Sequence, residues 1–261
     1  MKLTVLARCL GLLVLASNPA WATDTLRLCH EDNEAYPWIL DKQPGLYGTL
    51  AKLAEPRLSM HIVVSRLPWK RCLASVGNGS QDGVLGAGYL PERCAIGVYP
   101  GKSGCEPNAD LRLYIDRFAL YRHLEAKLSW DGKRLLGNSR PVAVQPGFVA
   151  ARLLKDIGVA TDETEKDPAQ MLRKISVNMN EAAVIQTAIA DRLLRETPGL
   201  AIYVERMTPV FVEYPAYLML SHQFVSANPG RAQRVWQAFV ETRDSNAYQA
   251  SKAALGFNEA D

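Results

Sequence analysis

Residues 26–29 (LRLC) alternate apolar and polar, the period-two pattern of a short strand. They run into the polar, aromatic stretch HEDNEAYPW, which reads as a loop. Over 46–55, Leu46, Leu50 and Leu53 recur on one helical face, and Pro56 is expected to end that helix. A second strand is predicted at 61–64 (HIVV). Pro68 then opens a helix whose stripe is Trp69, Cys72, Leu73 and Val76, and Gly77-Asn78-Gly79 stops it. A third strand lies at 83–87 (GVLGA). The order β-α-β-α-β implies a parallel sheet with right-handed crossovers.

Residues 93–110 read as a Gly- and Pro-rich loop bracketed by Cys94 and Cys105, and strand character returns at 111–121. A second α/β series follows, with a strand at 140–144. Pro146-Gly147 turns it into a helix bearing Val149, Leu153, Leu154 and Ile157. Residues 161–168 are an acidic loop. A helix ends at 171–175, a strand spans 182–185 and another helix 188–196. Strands are expected at 201–205 and 210–220, and Asn228-Pro229 caps a final helix with Val235, Trp236, Phe239 and Val240 inside.

Two β/α series of about 100 residues each suggest two lobes. The extended stretches near 116–118 and 213–217 are the expected crossings, so the last part of the chain returns to the first lobe. The expected fold class is α/β, with lobe 1 at 23–117 plus 215–261 and lobe 2 at 118–214.

Composition narrows the function classes. The chain has 261 residues, 48% apolar and 22% charged, which argues against disorder, collagen or coiled coil. Its 30 basic and 27 acidic side chains leave a formal charge of +3, without the basic surplus of a nucleic-acid binder. The first 22 residues read as a secretory signal peptide: Lys2 and Arg8, the apolar run 9–16, then Ala20-Trp21-Ala22 as cleavage site. Cleavage after Ala22 and export are expected. Cys29, Cys72, Cys94 and Cys105 remain, an even set that suggests disulfides with three possible connectivities.

No HExxH, GxSxG, P-loop or CxxC motif occurs, so neither a catalytic residue, a cofactor nor a metal site is indicated. Adjacent strand residues face opposite sides, so Cys29-His30-Glu31-Asp32 does not converge on one ion. Open α/β sheets bind ligands beyond the carboxyl ends of strands. Asp32, Glu34, Tyr36 and Trp38 follow the first strand, Trp69 the second, and Gly86, Ala87, Gly88, Tyr89 and Arg93 the third. In the second lobe Pro146-Gly147-Phe148 opens a helix. Arginine holds carboxylates or phosphates bidentately, and helix N–H groups favour anions. Arg93 pairs either with a ligand anion or with an acid such as Glu92, and Trp69 serves either as cavity wall or as core beside Leu73.

With these residues in place, the chain resembles the periplasmic solute-binding proteins of the type II, amino-acid-binding-like family (ABC transporter substrate-binding, family 3). The resemblance is carried in order by LRLCHEDNEAYPW, LPWKRCLASVGNGSQDG, GYLPER, WDGKRLLGNSRPVAVQPGF, YPAYLMLSHQF and NPGRAQRVWQAF. It implies a two-lobed fold with a double crossover, a cleft for a small-molecule ligand, residence in the periplasm and delivery to a membrane ABC permease; a monomer is expected. The family's anion-clamping arginine matches Arg93, and its covering aromatic matches Trp69, with Tyr36 as neighbour. Trp38 and Gly88 complete the lobe 1 candidates. Three polar contacts are altered: Leu90 and Phe148 stand where the family has hydroxyl residues, and Gln186 where it has an acid. A buried ammonium without a carboxylate partner is costly. The expected ligand is therefore a carboxylate-bearing or otherwise polar, partly aromatic small molecule, not a simple α-amino acid. Cys29–Cys72 and Cys94–Cys105 are the favoured bridges, because Cys72 lies in the first turn of the helix packing beside Cys29 and the other pair encloses one loop; free thiols at Cys29 and Cys72 remain the alternative. A sensing accessory for a membrane receptor and an exported hydrolase using Glu34 or Asp32 are the competing functions.

Overall fold

In the computed structural model, which describes residues 24–101, 105–227 and 229–257, the chain begins with strand β1 (Thr25–His30). The proposed signal segment and Asn228 lie outside the described residues. The first series continues as α1 (Leu46–Leu58), β2 (His61–Arg66), α2 (Trp69–Gly77), β3 (Gly83–Gly88) and β4 (Gly97–Val98). Long strand β5 (Tyr114–His123) leads into β6 (Ser129–Trp130), β7 (Leu135–Leu136), β8 (Val142–Val144), α3 (Val149–Asp156), β9 (Thr161–Asp162), α4 (Pro168–Ser176), β10 (Ala182–Gln186), α5 (Thr187–Glu196), α6 (Pro198–Ala201) and β11 (Val204–Arg206). A second long strand, β12 (Val212–Ser221), precedes α7 (His222–Ala227), α8 (Pro229–Arg243) and α9 (Asn246–Ala254).

Both α/β series make parallel pairings: β2-β1-β3, with Thr25 opposite His61 and Leu28 opposite Gly83, and β10-β8-β9. The sheet as a whole is mixed, because β5 and β12 run antiparallel to each other and to their neighbours. The N-terminal part of β5 pairs with the N-terminal part of β12, from Tyr114–Ala216 to Phe118–Val212. Beyond this shared ladder β12 continues along β3 and β5 along β10. Each long strand thus serves both halves of the sheet.

Core packing follows the same division. Leu26, Leu28, Leu46, Leu50 and Leu85 share a cluster with Leu218, Leu220, Val235, Trp236 and Phe239. Phe118, Leu120, Val142, Val144, Leu154 and Val184 share another. The C-terminal helices therefore pack with the N-terminal strands, and the protein is two-lobed. Both bridges form: Cys29–Cys72 with Cα atoms 5.8 Å apart, inside the core, and Cys94–Cys105 with Cα atoms 5.7 Å apart.

Several expectations are corrected. Pro56 lies inside α1, which runs on to Leu58 and ends at Ser59 in the left-handed region (φ 51°). A proline in the last turn removes only its own N–H donation, and two more residues complete that turn. The strand expected at 201–205 starts later: Ala201 ends the short helix α6, residues 202–203 form a turn, and β11 begins at Val204. Ile157, expected inside α3's stripe, sits past the helix end and is 42% exposed. α8 is not the final helix; α9 follows, and its buried residues, Tyr248 and Lys252, make no apolar stripe to read in advance.

Candidate functional site

The shared ladder of β5 and β12 lays down the floor of a cavity between the lobes. Alternate residues of a strand face one side, and Tyr114, Asp116 and Phe118 of β5 line the cavity with Tyr214 and Ala216 of β12. Lobe 1 adds Glu31, Asn33, Glu34 and Trp38 from the loop after β1, Trp69 from the start of α2, Gly86 and Gly88 from β3, and Arg93 from the 3₁₀ turn Pro91–Ala95. Lobe 2 adds Gln145, Phe148, Val149 and Gln186. The space is about 670 Å³ including its mouth, within the range of small-molecule sites.

Arg93 is 4% exposed. Its Nη1 donates to Gly88 O at 2.7 Å and its Nη2 to Gly147 O at 2.8 Å, across the cleft. The guanidinium carbon lies 5.4 Å from the centre of the Trp69 ring, and Trp69 Nε1 donates to the same Gly147 O at 3.1 Å. Gly147 has φ +78°, and its N–H donates to Glu163 Oε2 at 3.1 Å. Glu92 pairs with Arg152 at 3.0 Å, so it is not the partner of Arg93, which makes no ion pair among the described residues. A guanidinium has five N–H donors; two of Arg93's are placed on carbonyls here.

Two acids in the cavity escaped the sequence reading as site residues. Glu31 is buried, and its carboxylate accepts from Trp69 N at 3.1 Å and from Asp32 N at 3.0 Å, tying the first loop to the start of α2. Burial is the main force that pushes its carboxyl up to about 7. Asp116 Oδ2 accepts from Gln186 Nε2 at 2.5 Å; burial pushes Asp116 up to about 7 although that hydrogen bond opposes it. The expectation of a cavity without a carboxyl beside Gln186 is thereby corrected. Strand parity would have put Asp116 on one face with Tyr114 and Phe118, but not which face met the cleft. Beneath them, Tyr47 and Tyr114 share a hydroxyl–hydroxyl hydrogen bond of 2.5 Å.

Of the sequence candidates, Trp38, Trp69, Gly88, Arg93, Phe148 and Gln186 all line this cavity. Trp38 is also stacked on Tyr114 at 3.6 Å, so one face of its ring is spent on packing. Tyr36 does not line it: its hydroxyl donates to Leu255 O at 2.6 Å, and the Arg192 guanidinium sits 4.5 Å from its ring centre. Further contacts close the cleft rim: Asn33 Nδ2 donates to Lys166 O at 2.8 Å, and Lys166 pairs with Asp32 at 3.3 Å. No metal-ligating cluster occurs among the described residues, and none of their helices is long and apolar enough to cross a membrane.

No known family profile matches the chain, and no curated protein matches it in sequence. Solved structures do match in fold. The ligand-binding core of GluR0 from Nostoc punctiforme, in complex with L-glutamate, is 13% identical, with 87% of this chain and 98% of that one covered at a TM-score of 0.66. A periplasmic binding protein of Salmonella typhimurium with high arginine specificity is 13% identical, covering 89% and 99% at 0.67. A histidine kinase sensor domain similar to periplasmic binding proteins is 14% identical, covering 89% and 95% at 0.67. At such identities it is the architecture that is shared, and the chain has the two-lobed fold of the amino-acid-binding periplasmic proteins.

Proposed function

We propose that this protein is a periplasmic solute-binding protein that captures a small polar molecule between its lobes, 23–117 with 215–261 and 118–214, and releases it unchanged. The observation that carries this reading is the meeting of Arg93 and Trp69 from one lobe with Gly147 from the other at the wall of an aromatic-lined cavity. A ligand reaching both sides favours the closed arrangement by its differential affinity. The remaining N–H donors of Arg93, whose charge has no carboxylate partner among the described residues, take the ligand's anionic group. Trp69, Phe148 and Tyr214 cover its apolar body. Asp116 and Glu31 hold protons near neutral pH often enough to act as donors, and once ionised they give an amine a partner.

Export rests on the charged, apolar and small-residue order of residues 1–22, and a membrane ABC permease is the proposed recipient. The second reading, a sensing accessory for a membrane receptor, is favoured by the likeness to the histidine kinase sensor domain. Mass spectrometry of small molecules co-purifying with the protein, followed by small-angle scattering with and without them, tests capture. Contraction on ligand addition supports it, and an unchanged radius with every recovered molecule refutes it. A deletion strain that takes up the ligand normally but loses a response to it favours the sensor.

A further inference from the structure

Among the described residues, three ion pairs cross the cleft outside the shared ladder of β5 and β12, and all three have the same polarity. Glu92 of the first lobe meets Arg152 of the second at 3.0 Å, Asp32 meets Lys166 at 3.3 Å, and Glu34 meets Arg192 at 3.9 Å. Every acid follows a strand of the first lobe, β1 or β3, and every base belongs to the second. The two arginines are built alike. Arg152 on α3 donates from Nε to Asp156 at 2.7 Å, and Arg192 on α5 donates from Nε to Glu196 at 2.7 Å. An acid four residues on in the helix thus fixes one edge of each guanidinium and leaves Nη1 to reach across the cleft. Only Glu34 of the six lines the main cavity, so the pairs close the rim without help from a bound molecule. All six side chains are between 28% and 52% exposed, within reach of salt. Exposed pairs are individually weak and are screened by ions. These three share no residue, and one rigid-body opening breaks them all, so their effects add.

We propose that these pairs form an electrostatic latch, an acidic lip on the first lobe against a basic lip on the second, which holds the lobes closed without ligand at low ionic strength and lets them part as salt rises. Resting on the capture reading above, the latch adds a regulation to it: a solute enters faster when salt loosens the rim. An anion steered to Arg93 by charge alone enters more slowly as salt rises, so the two effects have opposite sign.

Small-angle scattering of the protein, freed of small molecules by dialysis, tests this between about 20 and about 500 mM NaCl, a span over which the Debye length falls from roughly 20 Å to roughly 4 Å. The radius of gyration is expected to rise with salt. In the neutral triple variant, Asp32→Asn with Glu34→Gln and Glu92→Gln, it should be large at low salt already and lose at least half of its salt response. Arg152→Glu alone should enlarge the radius at low salt, and adding Glu92→Arg, which restores an ion pair of reversed polarity, should return it. A radius that does not rise with salt, a response undiminished in the triple variant, or a charge swap that fails to restore compactness overturns the latch. Should the triple variant not fold, the salt response of the parent and the swap decide. Capture is judged separately: contraction with the co-purified molecules at about 500 mM NaCl, where the rim pairs are screened, is expected whether or not the latch exists.

Discussion

The Arg93 guanidinium and the Trp69 indole donate to one acceptor, Gly147 O, at 2.8 and 3.1 Å. Two side chains of the first lobe therefore hold a single carbonyl of the second. On the proposed reading, closure and recognition would draw on the same donors.

Arg93→Ala is expected to weaken binding of the co-purified ligand at least tenfold, since hydrogen bonds to a charged group are worth about 1.5–3 kcal/mol each. It also frees Gly147 O and Gly88 O from this donor. Scattering of the ligand-free variant should show a larger radius than the parent, and an unchanged radius would separate recognition from closure.

Gly147→Ala places a Cβ 3.4 Å from Trp69 Cδ1 on a backbone with φ +78°. The left-handed conformation costs a residue with a Cβ about 1–2 kcal/mol, so the midpoint of urea unfolding should fall accordingly. Gly158→Ala is the matched control: its φ is +79° and nothing lies within 4 Å of its Cβ position. A larger loss at Gly147 than at Gly158 measures the interlobe contact alone.

Asp116 should make stability depend on pH. Its folded-state value, about 7, lies above the ordinary 3.8, so between those values the folded state binds more protons than the unfolded. Its contribution is then favourable at acid pH and is lost as pH rises through 7. The groups facing it are Gln186, the backbone N–H of Arg117 and, more distantly, the hydroxyls of Tyr47 and Tyr114. Asp116→Asn keeps the acceptor for Gln186 and removes the titration, so thermal melts at pH 5 and 8 should show the variant gaining on the parent at pH 8. An equal difference at both pH values would refute the raised value.

Cys29–Cys72 spans 43 residues and Cys94–Cys105 spans 11. On the chain-entropy account their loss costs about 4 and about 3 kcal/mol. The smaller loop starts at the residue after Arg93, so Cys94→Ser with Cys105→Ser should lower ligand affinity more per degree of melting temperature than Cys29→Ser with Cys72→Ser does. Calorimetry and thermal melts on both double variants check the ratio.

Periodicity carried the local elements well. The stripe Trp69, Cys72, Leu73 and Val76 is buried on α2, and the extended stretches near 116–118 and 213–217 fall within β5 and β12. α9 was missed because its buried residues are Tyr248 and Lys252, a pair no apolar pattern announces. Tyr36 was placed with the site because it follows the first strand, but its hydroxyl reaches the carbonyl of Leu255, 219 residues away.

The amino-acid sequence by itself determined the order of the main strands and helices, the two α/β series and the cysteine pairs worth considering, because those depend on hydrophobic period and on neighbours close along the chain. Only the tertiary structure decided that Asp116 meets Gln186 over the cavity and that Arg93 reaches Gly147 instead of Glu92. Each of those facts depends on which face of a strand or helix the other lobe covers, and that is set by packing between segments far apart in sequence.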